Sequence, residues 1–467
     1  MHNGPQPLPT PGAAGGTATA AGSTNHAAAT ATPVGLLVLL CIFLFYVPNQ
    51  AQFRLETGIR ALNTANVLFL LVLIGVRRLG PAPGGPTPMK GSLMFLFVMM
   101  TWALLLGFAK DPSVWVQDLT AFKNSVFYVL VYFLVFHAVR DMRALRVVFL
   151  LILFIGFTSA VLGFRQALDY GIGTYNETRR VAAPFGWGYF AANRSAIFFC
   201  ISFPILLATG LMLRSRPWLR MACLGTAALV VFVVFHTYSR QAYFIIAVCA
   251  LLLTMRRSLL VSALVVVALL SYQAWVPETV VQRIESTKAE PEVRPSGSGE
   301  EQLQYDVSTE SRFMLWEGAA QLIAQEPWGI GFNQFKRRID PYVPAFLAGK
   351  DAHNFYVLFT TEGGLIAPVA VLVLLGSMFM LARRVLKADK GEEAQVLGTS
   401  LLIAIPAVVL GNLYGSRFLD GEVMSSFWVL CALAARFVVM KDAEQQALRA
   451  SRLAAAREQS GYRSFQR

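Results

Sequence analysis

Apolar residues run through most of this chain in blocks of about 20, the length a helix needs to cross a hydrocarbon core. The blocks fall at roughly 33–48, 60–76, 92–109, 120–139, 145–168, 191–213, 218–236, 240–255, 258–276, 354–382, 396–415 and 423–440. They predict an all-α polytopic membrane protein of about 12 transmembrane helices. The first and eighth are short, and only a turn around Thr237 separates the seventh from the eighth. Residues 1–32 break the pattern: they are rich in Ala, Gly, Thr and Pro and hold no Lys or Arg. Such a segment cannot bury enough apolar area to offset its ordering entropy, so it reads as a flexible tail. A secretory signal would need a basic stretch before its apolar run, so the run after Pro33 is expected to stay as the first span. Residues 277–353 break the pattern again. They open Pro/Gly/Ser-rich between Pro291 and Gly299, then set Phe313, Trp316, Ala320 and Ile323 on one helical stripe. Ser308 or Thr309 can cap that helix, and Pro327-Trp328-Gly329 ends it. A helix of this kind is expected to lie at the membrane interface or to roof a cavity.

Composition agrees with the pattern. Of 467 residues 55% are apolar and only 14% charged, with a mean hydropathy of +0.53. A soluble surface built from these residues would precipitate, which excludes soluble-enzyme, fibrous and disulfide-scaffold classes. The five cysteines (Cys41, Cys200, Cys223, Cys249, Cys431) sit inside apolar runs with no C-x-x-C spacing, as packing residues would.

Basic residues gather in every second loop: Arg77, Arg78 and Lys90; Arg140, Arg143 and Arg146; Arg214, Arg216 and Arg220; Arg256 and Arg257; Arg383, Arg384, Lys387 and Lys390. The tail after Met440 adds six more. Short cytoplasmic loops retain Lys and Arg, so both termini are expected in the cytoplasm, and much of the +13 net charge is explained without nucleic acid. The chain then divides into a disordered cytoplasmic tail (1–32), transmembrane helices 1–9 (33–276), a large periplasmic loop with amphipathic helices (277–353), helices 10–12 (354–440) and a basic cytoplasmic tail (441–467).

The opposite face should be poor in Lys and Arg, yet it holds Arg165, Arg179, Arg180, Arg194, Arg240, Arg312, Lys336-Arg337-Arg338 and Lys350. Arg194 and Arg240 each open an apolar run. One such arginine can snorkel to the headgroups. Two on one side favour an anionic ligand, because the guanidinium fork matches phosphate bidentately. His353 opens the tenth block, where it can act as base, acid or hydrogen-bond donor or serve as a structural interface residue. His236, just before Ser239-Arg240, reads as a supporting group, and His137 as structural. Glu362 lies about 13 Å of helix rise beyond His353, which suits a bundle-locking role. Asp420-Gly421-Glu422 reads as a solvated loop. Walker and G-x-G-x-x-G motifs are absent from the sequence. A group transfer on the outer face needs a donor that brings its own leaving group, as a lipid diphosphate does.

Thr237-Tyr238-Ser239-Arg240, then Ser311-Arg312-Phe313-Met314-Leu315-Trp316-Glu317, then Pro327-Trp328-Gly329-Ile330-Gly331-Phe332, then His353-Asn354 with Glu362-Gly363-Gly364-Leu365 resembles the O-antigen ligase and polymerase superfamily. The motifs span about residues 180–370, and the topology extends the likeness to the whole chain; within the superfamily it most resembles the lipopolysaccharide O-antigen ligase. The resemblance implies a glycosyltransferase-C-like fold in a Gram-negative inner membrane, with its active site facing the periplasm. It implies inverting transfer of O-antigen from undecaprenyl diphosphate to lipid A–core, with no metal, ATP or other cofactor and no nucleic-acid partner. The family's two arginines and one histidine carry over to Arg194, Arg240 and His353. Arg312, Tyr238, Ser239, Lys336, Arg337 and Arg338 then become further diphosphate or acceptor contacts, with Asn354, His236 and Glu362 behind them. An O-antigen polymerase or a protein O-oligosaccharyltransferase would share the donor. A twelve-helix transporter or flippase is a more distant reading, disfavoured by the position of the long loop and the lack of a visible repeat.

Overall fold

A computed structural model describes residues 31–53, 63–172, 176, 178–188, 191–285 and 307–465. The Pro291–Gly299 stretch, His2, His26 and most of the predicted N-terminal tail lie outside the described residues. The chain is helical, with no strand among the described residues. In order the helices are α1 (Val34–Tyr46), α2 (Thr64–Arg78), α3 (Lys90–Lys110), α4 (Trp115–Ala138), α5 (Met142–Tyr170), α6 (Ala192–Met212), α7 (Pro217–His236), α8 (Arg240–Met255), α9 (Leu259–Leu270), α10 (Glu278–Glu285), α11 (Val307–Gln325), α12 (Phe335–Arg338), α13 (Phe355–Gly363), α14 (Ala367–Ala388), α15 (Glu392–Gly411) and α16 (Gly421–Phe465).

Every predicted apolar block contains a helix, but the structure supports fewer full spans than the blocks suggest. Among the described residues eight helices are long and apolar enough to cross a membrane: α3 to α7 and α14 to α16. With 13, 15, 16 and 12 residues, α1, α2, α8 and α9 fall short of the expected length. The bundle is centred on α6 and on the first turns of α16, where Phe427, Trp428 and the residues up to Val439 are buried. α9 is the opposite case. Only Ser262 of its side chains is buried, and Leu259, Leu260, Leu264, Val267 and Leu270 face outward, as lipid-facing residues do.

Four of the five basic loops are joined by contacts at one end. Buried Arg140 donates to the carbonyls of Leu79, Gly80 and Pro81, and buried Arg436 donates to Pro83 O (2.6 Å) and Arg140 O (3.3 Å). At the same end Arg146 pairs with Glu393 (2.5 Å), Glu392 accepts from the backbone of Arg214 and Ser215, and Lys441 pairs with Asp389 (3.1 Å). α16 runs without a break from Gly421 to Phe465, through the last apolar block and into the basic segment after Met440.

The tenth block is interrupted. α13 stops at Gly363, Gly364 turns at φ +84°, and α14 restarts at Ala367 with Pro368 in its first turn. The break serves a backbone zipper between two motifs. Ile330 N donates to Thr361 O, Gly331 N to Glu362 O and Leu365 N to Pro327 O, each at 3.0 Å, and Phe332 N donates to Ala103 O at 2.8 Å. The Glu362 carboxylate also accepts from Phe335 N (3.3 Å). These bonds press the long loop onto α13 and α3.

The long loop has its own small core of Leu315, Ala319, Leu322, Ile330, Phe335, Ile339, Leu347 and Ala352. The buried stripe of α11 is therefore 315–319–322. Of the predicted stripe, Phe313 and Ala320 are exposed, and Trp316 and Ile323 are half-buried. Periodicity alone could not separate the two stripes, since Phe313, Met314, Leu315 and Trp316 are consecutive and place apolar side chains all round the helix. The proposed caps Ser308 and Thr309 have no described side chains, and α11 begins at Val307.

Asp118, in the first turn of α4, locks this loop to the bundle. It is 1% exposed and accepts from Asn333 Nδ2 (2.8 Å), Gln334 Nε2 (2.5 Å) and Arg337 Nη1 (2.9 Å). Truncation would leave buried Gln334, half-buried Asn333 and the Arg337 guanidinium without this acceptor. Asp118→Ala is expected to destabilise the purified protein by about 3 kcal/mol, read as an earlier thermal transition and faster proteolysis within 307–353. A transition matching the unmodified protein would remove this role.

Candidate active site

Four segments meet where the long loop covers the bundle: the turn 237–239, the α11 start, the turn 351–354 and the loop 412–420. Local bonds set each one. Arg180 donates from Nε to Thr237 O (2.8 Å) and from Nη2 to Asn193 Oδ1 (3.0 Å), while Val181 N donates to His236 O (3.0 Å). This fixes the turn in which Tyr238 adopts φ +50° and from which α8 starts at Arg240. Asn354 caps α13, accepting from Tyr356 N (2.9 Å) and Val357 N (3.1 Å), and His353 before it adopts φ +50°. Trp316 Nε1 donates to Ala352 O (2.8 Å), tying α11 to the same turn. Left-handed backbone at a non-glycine residue costs on the order of 1–3 kcal/mol and tends to gather at functional sites. Of four such residues among the described ones, Tyr238 and His353 each immediately precede a candidate site element.

Arg240 and Arg312 share a cavity of about 380 Å³ with Gln241, Leu413 and Tyr414. The Arg312 guanidinium lies over the Tyr414 ring at 5.6 Å. Arg240 also lines a second, almost wholly apolar cavity of about 450 Å³, walled by Phe203, Val234, Phe244, Val265, Leu269 and Trp275 among others. The side chain thus stands between an apolar chamber and one that a second arginine also lines.

The His353 ring nitrogens make no hydrogen bond among the described residues. Burial holds the imidazole below its ordinary value; the Asp351 carboxylate opposes this, and the charges of Arg312, Arg417 and Lys336 reinforce it. His353 is therefore neutral near pH 7, the state a proton acceptor requires. Burial also pulls Arg312 and Arg417 below the usual guanidinium value, so both would gain from an anion.

The other sequence-derived candidates divide. Arg194 reaches the loop 412–420, but in a tight ion pair: Nε to Asp420 Oδ2 at 2.7 Å, Nη2 to Asp420 Oδ1 at 2.8 Å and to Glu422 Oε2 at 3.0 Å. Asp420 and Glu422 are therefore partners of an arginine, where the sequence suggested a solvated loop. Lys336 lies close enough to act on His353. Arg337 and Arg338 are taken up elsewhere, by Asp118 and Gln117 and by Glu326 (2.8 Å) respectively. Tyr238 is buried against Val276 and Val280, and Ser239 is buried as the N-cap residue of α8. His236 Nδ1 faces Phe232 O at 2.8 Å, and Glu362 lies in the backbone zipper. Arg417 and Asp118 were not singled out from the sequence. Arg417 satisfies the criterion applied to the other outer arginines, a basic residue in a loop facing away from the basic end. Asp118 carries no such signal, since its partners come from 215 or more residues away.

A bundle of apolar helices capped by a long folded loop, with several arginines and an imidazole beneath it, defines a polytopic helical membrane protein. Residues 225–372 match the family model described as O-antigen ligase, which supports assigning the chain to the O-antigen ligase family. The matched stretch holds Arg240, Arg312, His353 and Glu362; Arg194 and Arg417 lie outside it. It points to a glycosyltransferase-like enzyme of the O-antigen ligase and polymerase group. No curated protein matches the chain.

Proposed function

We propose that the protein transfers O-antigen from undecaprenyl diphosphate to lipid A–core on the periplasmic face of the inner membrane, with about twelve membrane-crossing helices and both termini in the cytoplasm. The observation that carries this reading is the placement of Arg240 on the boundary between the apolar and the cationic cavity. A polyprenyl chain suits the first and a diphosphate the second, so one amphiphilic donor satisfies both.

A hydroxyl oxygen of the core sugar attacks the anomeric carbon from the side opposite the diphosphate. The new glycosidic bond forms as the bond to the phosphate oxygen breaks, through an oxocarbenium-like transition state, with inversion. The hydroxyl proton passes to His353, and the electron pair of the broken bond leaves with the diphosphate. Negative charge grows on that leaving group, so cations already in place stabilise the transition state more than the ground state.

The test is transfer by purified protein from lipid-linked O-antigen to three acceptors: lipid A–core, a second lipid-linked glycan and a pilin. Product only on lipid A–core supports the ligase. Product on the second glycan lipid makes the protein a polymerase, and product on pilin makes it a protein glycosyltransferase. Substitution of Arg240 should be felt whichever acceptor is used. Arg240→Ala is expected to slow single-turnover transfer about a hundredfold, and Arg240→Lys about tenfold, because a point charge lacks the bidentate fork. Unchanged transfer by Arg240→Lys would count against phosphate contact at this residue.

A further inference from the structure

We propose that Arg417 is a phosphate ligand of this site, and that Arg194 is a positioning residue that seats Arg417 without touching the donor. The inference rests on the lipid-diphosphate reading above and changes which cations do the work. The two arginines share one carboxylate unequally. Arg194 grips Asp420 through both carboxylate oxygens and holds Glu422 with the same Nη2. One face of its guanidinium is covered by the Phe185 ring at 4.8 Å. A diphosphate reaching Arg194 would have to displace two carboxylates and meet their repulsion.

Arg417 is placed differently. Its nearest carboxylate oxygen is Asp420 Oδ2, at 3.6 Å, beyond hydrogen-bond range, and that oxygen already accepts from Arg194. Among the described residues its guanidinium makes no hydrogen bond, and its side chain keeps 29% of its surface open. It carries a full charge with donors to spare.

Two contacts bring Arg417 to His353. Buried Asn412 accepts from Arg417 N on its side chain (3.0 Å) and from Phe355 N on its backbone carbonyl (3.0 Å), so one residue holds both turns. The rings of Phe355 and Phe418 then stack at 4.8 Å and 19°. The clamp thus holds the turn that carries His353 beside the loop that carries Arg417. Tyr414 and Leu413 of the same loop line the cavity of Arg240 and Arg312. Arg240 and Arg312 line that cavity, and Arg417 follows Tyr414 on the same loop, close enough for its charge, like that of Arg312, to act on His353, while Arg194 is held by Asp420 and Glu422.

The test uses the unmodified full chain in detergent. Phenylglyoxal labelling of arginines is read by peptide mass spectrometry, with and without undecaprenyl diphosphate. Arg417 is expected to label in the absence of the lipid and to be protected at least about fivefold in its presence, whereas Arg194 resists labelling in both conditions. In parallel, affinity for undecaprenyl diphosphate is measured for Arg417→Gln, Arg417→Lys, Arg194→Lys and Arg240→Ala. Loss of about tenfold or more is expected for Arg417→Gln, the size of a charged hydrogen bond, with partial rescue by Arg417→Lys. Arg417 labelling that the lipid leaves unchanged, or wild-type affinity in Arg417→Gln while Arg240→Ala fails to bind, overturns the proposal and leaves the donor reading intact. Protection of Arg194 in place of Arg417 reverses the two roles and also overturns it. Wild-type affinity in Arg240→Ala and Arg417→Gln together defeats the lipid-diphosphate reading itself.

Discussion

His353→Ala is expected to insert and fold as the unmodified chain does and to lose glycan transfer by about a hundredfold to ten-thousandfold, the range a positioned proton acceptor supplies. The imidazole suits this role for two reasons. It makes no hydrogen bond among the described residues, and burial together with Arg312, Arg417 and Lys336 keeps it neutral against the pull of Asp351. The sign of the pH effect follows. A base must be deprotonated, so transfer is present at neutral pH and falls as pH drops through a value below that of ordinary histidine. Removing a nearby positive charge makes protonation easier, so Arg312→Gln should move this acid limb to higher pH. His353→Asn serves as a second variant, because asparagine tolerates the left-handed backbone that alanine disfavours. Transfer retained in both variants, with an unshifted pH profile, would take His353 out of the chemistry.

The sequence reveals those parts of this architecture that depend on local patterns. Apolar blocks mark the helices because lipid and a helical interior both demand apolar side chains, and four of the five basic loops are joined at one end. Block length does not fix where helices start and stop, since hydropathy does not register where backbone must turn. The tenth block contains Gly363-Gly364, yet only the loop backbone at 327–331 that bonds to it explains the break. Among the arginines, position near a helix start marks Arg194 and Arg240 equally. What separates them is pairing across the fold, since Asp420 and Glu422 lie 226 and 228 residues from Arg194. The same holds for Lys336-Arg337-Arg338. Adjacent in sequence, they diverge on the short helix α12: one lies near His353, one reaches α4 and one reaches Glu326. Charge can be read from a sequence, but neutralisation by a distant partner cannot.

Gly331→Ala is expected to destabilise the protein by about 4 kcal/mol, a large share of the stability of an ordinary domain. Two costs combine. Gly331 sits at φ +108°, where a side chain is strained whatever the space around it. A Cβ there would also lie 2.6 Å from Gly107 N, and closer still to Gly107 Cα, so it meets helix backbone that cannot rotate away. The contact matters because Phe332 N bonds to Ala103 O across the same seam, while Gly331 N bonds to Glu362 O on the other side. Pushing residues 331–332 off α3 would break both bonds and carry α12 and the turn before His353 with them. The loss should therefore appear twice, as a lowered thermal transition and as lost transfer by whatever fraction still folds. Gly376→Ala is the control, since a Cβ at Gly376 on α14 meets nothing within 4 Å. If Gly331→Ala matches this control in both measurements, the motif glycines are not needed for close backbone approach, and their role must be sought at the ligand.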